Sequence, residues 1–126
     1  MQTKIVSILT KEDEIKKIAN LLSNYSFDNL QKHHHFEFSI MEKMTDLNKI
    51  RETFQRFELI KSIEIRENEN RQIYYSLNYE LEDETFVVIS LIMDKTPPMI
   101  INGFHVNRSY KQFEKSLRKN YGNKFV

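Results

Sequence analysis

Phe86-Val-Val-Ile-Ser-Leu-Ile-Met93 decides the fold of this chain. The run is too dense in apolar, mostly β-branched side chains to face water on either side. Taken at alternate positions, Phe86, Val88 and Ile92 form one face, interrupted only by Ser90. Val87, Ile89, Leu91 and Met93 form the other. A strand apolar on both faces is a central strand with material packed on each side of its sheet. Lys95-Thr-Pro-Pro98 ends the run, and Met99-Ile-Ile-Asn-Gly-Phe-His-Val106 is a second one. Asn102-Gly103 by itself signals a hairpin. The two prolines already supply a turn, however, and Phe104 to Val106 would be a very short return strand. A continuous strand with a bulge or a close backbone approach at Gly103 is the preferred reading.

Upstream, Glu82-Asp-Glu84 is the turn into this central strand. Before it, Ile73, Tyr75, Leu77, Tyr79 and Leu81 alternate with Tyr74, Ser76, Asn78 and Glu80, the pattern of a half-buried antiparallel strand. Leu59, Lys61, Ile63 and Ile65 alternate with Ile60, Ser62, Glu64 and Arg66 as another strand, and Glu67-Asn-Glu-Asn70 is its turn. Leu47, Ile50, Phe54 and Phe57 recur at steps of three and four, which predicts a helix from Asp46 to about Phe57 or Glu58. Ile15, Ile18, Ala19 and Leu22 predict a first helix from about Lys11 to Ser23, with Thr10 and Asp13 as its capping signal. Between these two helices the periodicity leaves alternatives. Asn24 to Asn29 reads as a loop or a short helix start, and His33 to Ile40 as a helix or a short strand. Ser109 with Gln112 forms a capping box for a last helix, along which Tyr110, Phe113, Leu117 and Tyr121 share a face before Gly122 closes it.

Helices and a four-stranded antiparallel meander in separate runs predict one α+β domain spanning residues 1–126. The helices at Ile15–Leu22 and Leu47–Phe57 are expected to cover one face of the central strand. The other face needs the last helix, or a second copy of the chain in a sheet-to-sheet homodimer. Cysteine is absent, which excludes disulfides, thiolate metal sites and a cysteine nucleophile. With only two glycines there is no loop to cradle a phosphate, so nucleotide hydrolysis of the glycine-loop kind is not expected. The apolar part of Met1–Thr10 is too short for a signal peptide or an anchor, and Lys11 to Glu14 follow at once. A cytoplasmic location away from membranes is therefore the expectation.

The element order, over nearly the whole length, resembles the nuclear transport factor 2-like superfamily, as a small bacterial-type member. Its cystatin-like curved sheet wraps around a long N-terminal helix, and Ile101-Asn-Gly-Phe-His-Val106 would be a late strand of that sheet. The resemblance implies a superfamily of enzymes, ligand-binding proteins and non-catalytic interaction modules. Members resembling ketosteroid isomerase place a carboxylate base beside a tyrosine or a protonated acid. That pair has no residue-by-residue counterpart here, since Glu64 and Glu80 alternate outward and Asp94 sits at a strand end. No catalytic residue and no cofactor are assigned.

Several candidate sites remain. In an extended chain His33, His35 and Glu37 would share a face and could ligate a metal; in a helix no chelate forms, and solvated histidines are the plainer reading. Tyr75, Tyr79 and His105 are the candidates for a ligand pocket in the cone, with Tyr74 as a further possible lining residue. The plainer reading is that the tyrosines pack and that His105 is a satisfied half-core residue. Arg108, Lys111, Lys115, Arg118, Lys119 and Lys124 face Glu114 alone, so this segment carries +5 against −4 elsewhere. Arg108, Lys111, Lys115, Arg118 and Lys119 form a basic surface that could meet nucleic acid, although it lacks interleaved aromatics. The leading expectation is a small, non-catalytic protein-interaction module, a class that includes immunity- and inhibitor-like proteins. A small apolar ligand or a proton transfer in the cone is the alternative, and nucleic-acid binding through the last helix a second one.

Overall fold

The computed structural model describes residues 3–126. Its elements run β1 (Thr3–Leu9), α1 (Glu12–Leu22), β2 (Gln31–Lys32), α2 (His34–Met41), α3 (Leu47–Phe54), β3 (Ile60–Asn68), β4 (Ile73–Glu80), β5 (Phe86–Ile92), β6 (Met99–Val106) and α4 (Tyr110–Tyr121). The fold is α+β. One six-stranded sheet takes the order β1-β3-β4-β5-β6-β2, antiparallel except where β2 meets β6. The four strands expected from alternation are thus neighbours within a wider sheet, flanked by two strands that the pattern did not reveal.

The reason lies in the backbone. In β1, Ile5 pairs with Arg66 but Ser7 pairs with Ile65, so Val6 is an extra residue that shifts the register. The bulge sends Ile5 and Ile8 to one face and Leu9 to the other, which erases the period-two signal. β2 has only two residues, too few for any period. It follows a single 3-10 turn at Phe27–Asn29. The ambiguous His33–Ile40 stretch then resolves as helix, with the His33 Nδ1 accepting from the His35 amide at 3.1 Å as its cap.

Every residue of β5 is buried. On the inner face Val87, Ile89 and Leu91 pack with Ile63, Leu77 and Tyr79 against Ile15, Ile18 and Leu22 of α1, Phe36 of α2, and Ile50 and Phe54 of α3. On the outer face Phe86 and Val88 meet Tyr110, and the Phe113 ring stacks on Phe86 at 4.6 Å. Farther along α4, Leu117 packs on Ile5 and Ile8. The last helix therefore crosses the outer face from β5 to β1 and supplies the cover that the central strand required. At about 1.5–3 kcal/mol per buried large apolar side chain, each cover outweighs the cost of any one cap or turn.

The helix starts expected at Asp46 and Ser109 are seen: Asp46 Oδ1 accepts from the Lys49 amide at 3.2 Å and Ser109 Oγ from the Gln112 amide at 3.3 Å. Thr10 does not cap α1. Lys11 occupies that position and makes no side-chain cap, while Glu12, Asp13 and Glu14 in the first turn offset the exposed amides electrostatically. The β3–β4 and β4–β5 hairpins each use a three-residue loop whose last residue has positive φ, Arg71 at 62° and Glu84 at 73°. Glycine is the usual occupant of such a position, and this glycine-poor chain places charged residues there instead.

Gly103 is spent elsewhere. β6 runs unbroken from Met99 to Val106, and its bulge is at Ile101, between the pairs Ser90–Asn102 and Leu91–Ile100. A Cβ on Gly103 would lie 3.0 Å from Ile50 Cγ2 and 3.2 Å from Phe36 Cε1. The glycine marks a close approach of the sheet to α2 and α3. Gly103→Ala should lower stability by about 1–3 kcal/mol, as overpacking does, read as a lower midpoint in urea denaturation. An unchanged midpoint would mean that Ile50 moves aside freely.

Candidate functional site

The outer face of the sheet is not apolar throughout. Glu64 of β3, Ser76 of β4, Ser90 of β5 and Asn102 of β6 pair successively in register, so a polar row crosses four adjacent strands. Glu64, Ser76 and Ser90 are 2%, 4% and 4% exposed. They nevertheless line a half-open groove of about 260 Å³ beside α4, whose Phe113 forms part of the wall.

Local geometry explains how a carboxylate survives there. Arg66 sits two residues on, hence on the same face of β3, and its Nε donates to Glu64 Oε1 at 3.1 Å. The Arg66 Nη2 donates to the same oxygen, and Asn78 Nδ2 to Glu64 Oε2 at 2.8 Å. Asn78 Nδ2 also donates to Ser62 Oγ at 3.0 Å, and the Tyr110 hydroxyl of α4 donates to that oxygen at 2.8 Å. Burial raises the Tyr110 hydroxyl far above the ordinary phenol range, so it stays a donor. The carboxylate side of Asn78 fixes its amide orientation, which leaves Asn78 Oδ1 buried without a partner. Ser76 and Ser90 face each other with hydroxyl oxygens 2.7 Å apart.

Alternation placed Glu64 outward, and the structure agrees. The sequence reading missed that outward here means under α4. Ser90, the interruption in an otherwise apolar face, was the visible trace of this row. Its partners Ser76 and Asn102 needed the strand register, which the sequence does not supply.

The expected pocket residues are not brought together. Tyr79 is fully buried and donates its hydroxyl to the Phe54 carbonyl at 2.9 Å. Burial pushes that hydroxyl well above its ordinary value. Phe54 and Phe57 pack edge to face beside it, at 5.5 Å. Tyr75 is half-buried four residues away along β4 and lines a shallow surface with Met93 and Asp94. Tyr74 belongs to the outer face and the groove. His105 is exposed at the end of the sheet, 2.8 Å from Thr85 Oγ1. Val87 separates it from Tyr79 in register, two strand spacings or about 10 Å.

His33, His34 and His35 do gather, with ligand atoms within 4.8 Å of one another. His35 stacks on His33 and on His34 at 5.1 and 4.7 Å between centroids, and the His33 and His34 rings are tilted by 33° at 4.0 Å. Near-parallel rings send their lone pairs along separate planes, and His33 Nδ1 already caps α2, so convergence on one ion requires the rings to turn. Beyond them Phe38, Met41 and Met44 are 54%, 78% and 63% exposed. Phe38 and Met41 line a shallow apolar hollow with His34, His35 and Glu37. A left-handed residue, Lys43 at φ 58°, ends the helix; the Met44 amide returns to the Ser39 carbonyl and the Lys43 amide to that of Ile40.

On the basic surface, Lys111 pairs with Glu84 at 3.6 Å and Arg118 with Glu114 at 3.3 Å, while Arg118 also lies over the Phe125 ring. Lys115 and Lys119 are exposed, and Arg108 stands at the mouth of the groove. Among the described residues no helix is long and apolar enough to cross a membrane. Comparisons with protein-family models, with curated proteins and with solved structures give no match.

Two measurements check this geometry. Glu64→Ala strands the Asn78 amide and the half-buried Arg66 charge and should cost about 3 kcal/mol in denaturant unfolding; a cost below about 0.5 kcal/mol would mean that water replaces the carboxylate freely. His33 is pulled below its ordinary value by partial burial and then by the charges of His34 and His35. Its neutral form is favoured in the folded state, so stability should fall as pH drops below about 6.5, where the unfolded chain binds the proton. His33→Asn keeps a capping acceptor and should flatten that part of the pH profile of the melting temperature.

Proposed function

We propose that this chain is a non-catalytic interaction module that binds a partner protein through α2. The observation that carries this reading is the ridge of Phe38 and Met41, two large apolar side chains three residues apart on α2, each more than half exposed and lining one apolar hollow, with the exposed Met44 following along the chain. Single exposed apolar residues are ordinary. A cluster of them at the end of one helix, next to an apolar hollow, is the kind of patch that marks a protein contact. The opposite side of α2 is held down by Phe36, which is fully buried, so the ridge is presented on a fixed element.

Because the ridge protrudes, the fitting partner surface is an apolar cleft that receives two or three anchors from a short helix. Glu37 and Glu42 flank the anchors, which favours cations on the rim of that cleft. The chemistry of the buried polar groups supports binding over catalysis. The Glu64 carboxylate is occupied by three donated hydrogen bonds and the Tyr79 hydroxyl is spent on a backbone carbonyl. The kinship with nuclear transport factor 2-like proteins is part of the same proposal and rests on element order alone.

The test is a comparison of variants. Affinity capture from the native lysate should retain a protein with the wild-type chain and lose it with Phe38→Glu and Met41→Glu, both at exposed side chains. Each lost anchor should weaken the complex by roughly 30-fold, the effect of removing about 2 kcal/mol at a central contact. Lys115→Gln with Lys119→Gln should leave capture unchanged. Equal capture by the ridge variants, or loss only with the lysine variants, would overturn the reading.

A further inference from the structure

We propose that the outer-face groove is a binding site for a small organic monoanion with a flat apolar body. This site lies on the opposite side of the sheet from the packing of α2 and stands independently of the partner-binding reading.

The argument starts from cost. A sheet face next to a covering helix is ordinarily filled by apolar side chains, because each polar group taken out of water must find partners. Here Glu64, Ser76, Ser90 and Asn102 align across four strands, and the first three are more than nine-tenths buried. Four apolar side chains at these positions would close the face. The row leaves instead a groove of about 260 Å³ open to solvent.

The hydrogen-bonding inventory says what the groove offers. Only one hydrogen can lie between the Ser76 and Ser90 oxygens at 2.7 Å, so the second hydroxyl hydrogen is left for an acceptor. Asn102, exposed at the end of the row, adds an amide with both donor and acceptor capacity. The Glu64 carboxylate is neutralised by Arg66. Arg108 lies at the mouth, and among the described residues it is in none of the ion pairs near the groove, which are Arg66 with Glu64, Lys111 with Glu84 and Arg118 with Glu114. The groove as a whole therefore carries one uncompensated positive charge. That single charge, with the hydroxyl and amide donors beside it, suits one carboxylate rather than a dianion.

Phe104 supplies the apolar half. It is 40% exposed on the outer face, directly across from Val88 in register. An aromatic ring on an uncovered sheet surface is a platform for a flat group. The volume falls below the roughly 300–1,000 Å³ of drug-sized sites, which sets the scale at a single ring with a carboxylate.

The experiment uses the full chain and three probes: benzoate (flat and anionic), benzamidine (flat and cationic) and acetate (anionic without a ring). Binding is followed by amide chemical shifts in two-dimensional NMR. Benzoate should produce saturable shifts centred on Ser90, Asn102, Phe104 and Arg108, with a dissociation constant in the millimolar range expected of a fragment. Benzamidine and acetate should bind at least fivefold more weakly. Arg108→Gln, at an exposed side chain, and Phe104→Ala, at a partly exposed one, should each weaken benzoate at least fivefold, Arg108→Gln with no change in melting temperature. Lys115→Gln, on the far side of α4, should not alter it. Equal binding of benzamidine, loss of benzoate with Lys115→Gln to the same degree as with Arg108→Gln, or no saturable shift at the groove would each overturn the proposal.

Discussion

β5 has no solvent-facing side, and that constraint organises the molecule. A strand with seven consecutive buried residues must sit inside a sheet that is covered twice. Three helices from the N-terminal half supply one layer and α4 the other. The two layers differ in character. The inner one is continuous and rich in aromatic contacts, with Phe27 meeting Phe36 and Phe54 edge to face at 6.1 and 6.0 Å. The outer one is a single helix laid diagonally over a face that is partly polar. A single helix about 10 Å wide cannot cover a face of six strands spaced nearly 5 Å apart. The uncovered remainder is where the groove and the exposed Phe104 lie.

The same geometry explains how a buried carboxylate becomes tolerable. Strand pleating puts Glu64 and Arg66 on one face two residues apart, and the neighbouring strand brings Asn78 alongside. The ion pair is assembled largely from local sequence, so little ordering entropy is spent in forming it. Tyr110 then ties the helix to the same network through Ser62. Packing of α4 and satisfaction of the polar cluster are therefore a single event, in which neither half is complete without the other.

Much of this architecture was legible in the chain. Periodicity located α1, α3, α4 and β3 through β6 to within a few residues, because each has a strong apolar face and a recognisable boundary. What remained hidden had physical causes. β1 was concealed by the bulge at Val6, which puts Ile5 and Ile8 on one face although they are three positions apart. β2 is shorter than one period of its own pattern. The site was harder still. Ser90 stood out as a flaw in an apolar face, but Ser76 and Asn102 acquire meaning only once strand pairing sets them beside it. The alternation of β4 left Tyr75 and Tyr79 as pocket candidates beside the plainer reading of packing, and Tyr79 packs in the interior. The ridge on α2 escaped because helix and strand readings of His33–Ile40 distribute Phe36 and Phe38 differently, and only the helix buries one while exposing the other.

The contact at Gly103 has a consequence for how such a sequence can drift. Hydrogen at position 103, a branched chain at Ile50 and a ring at Phe36 together fill one fixed gap between sheet and helices. A gain of volume at any one of the three is accommodated only if another shrinks. Substitutions there should accordingly be inherited in compensating sets, so that a relative with alanine in the strand would carry valine or a smaller residue on α3. Three positions distant along the chain, on two helices and a strand, behave as a single unit of variation.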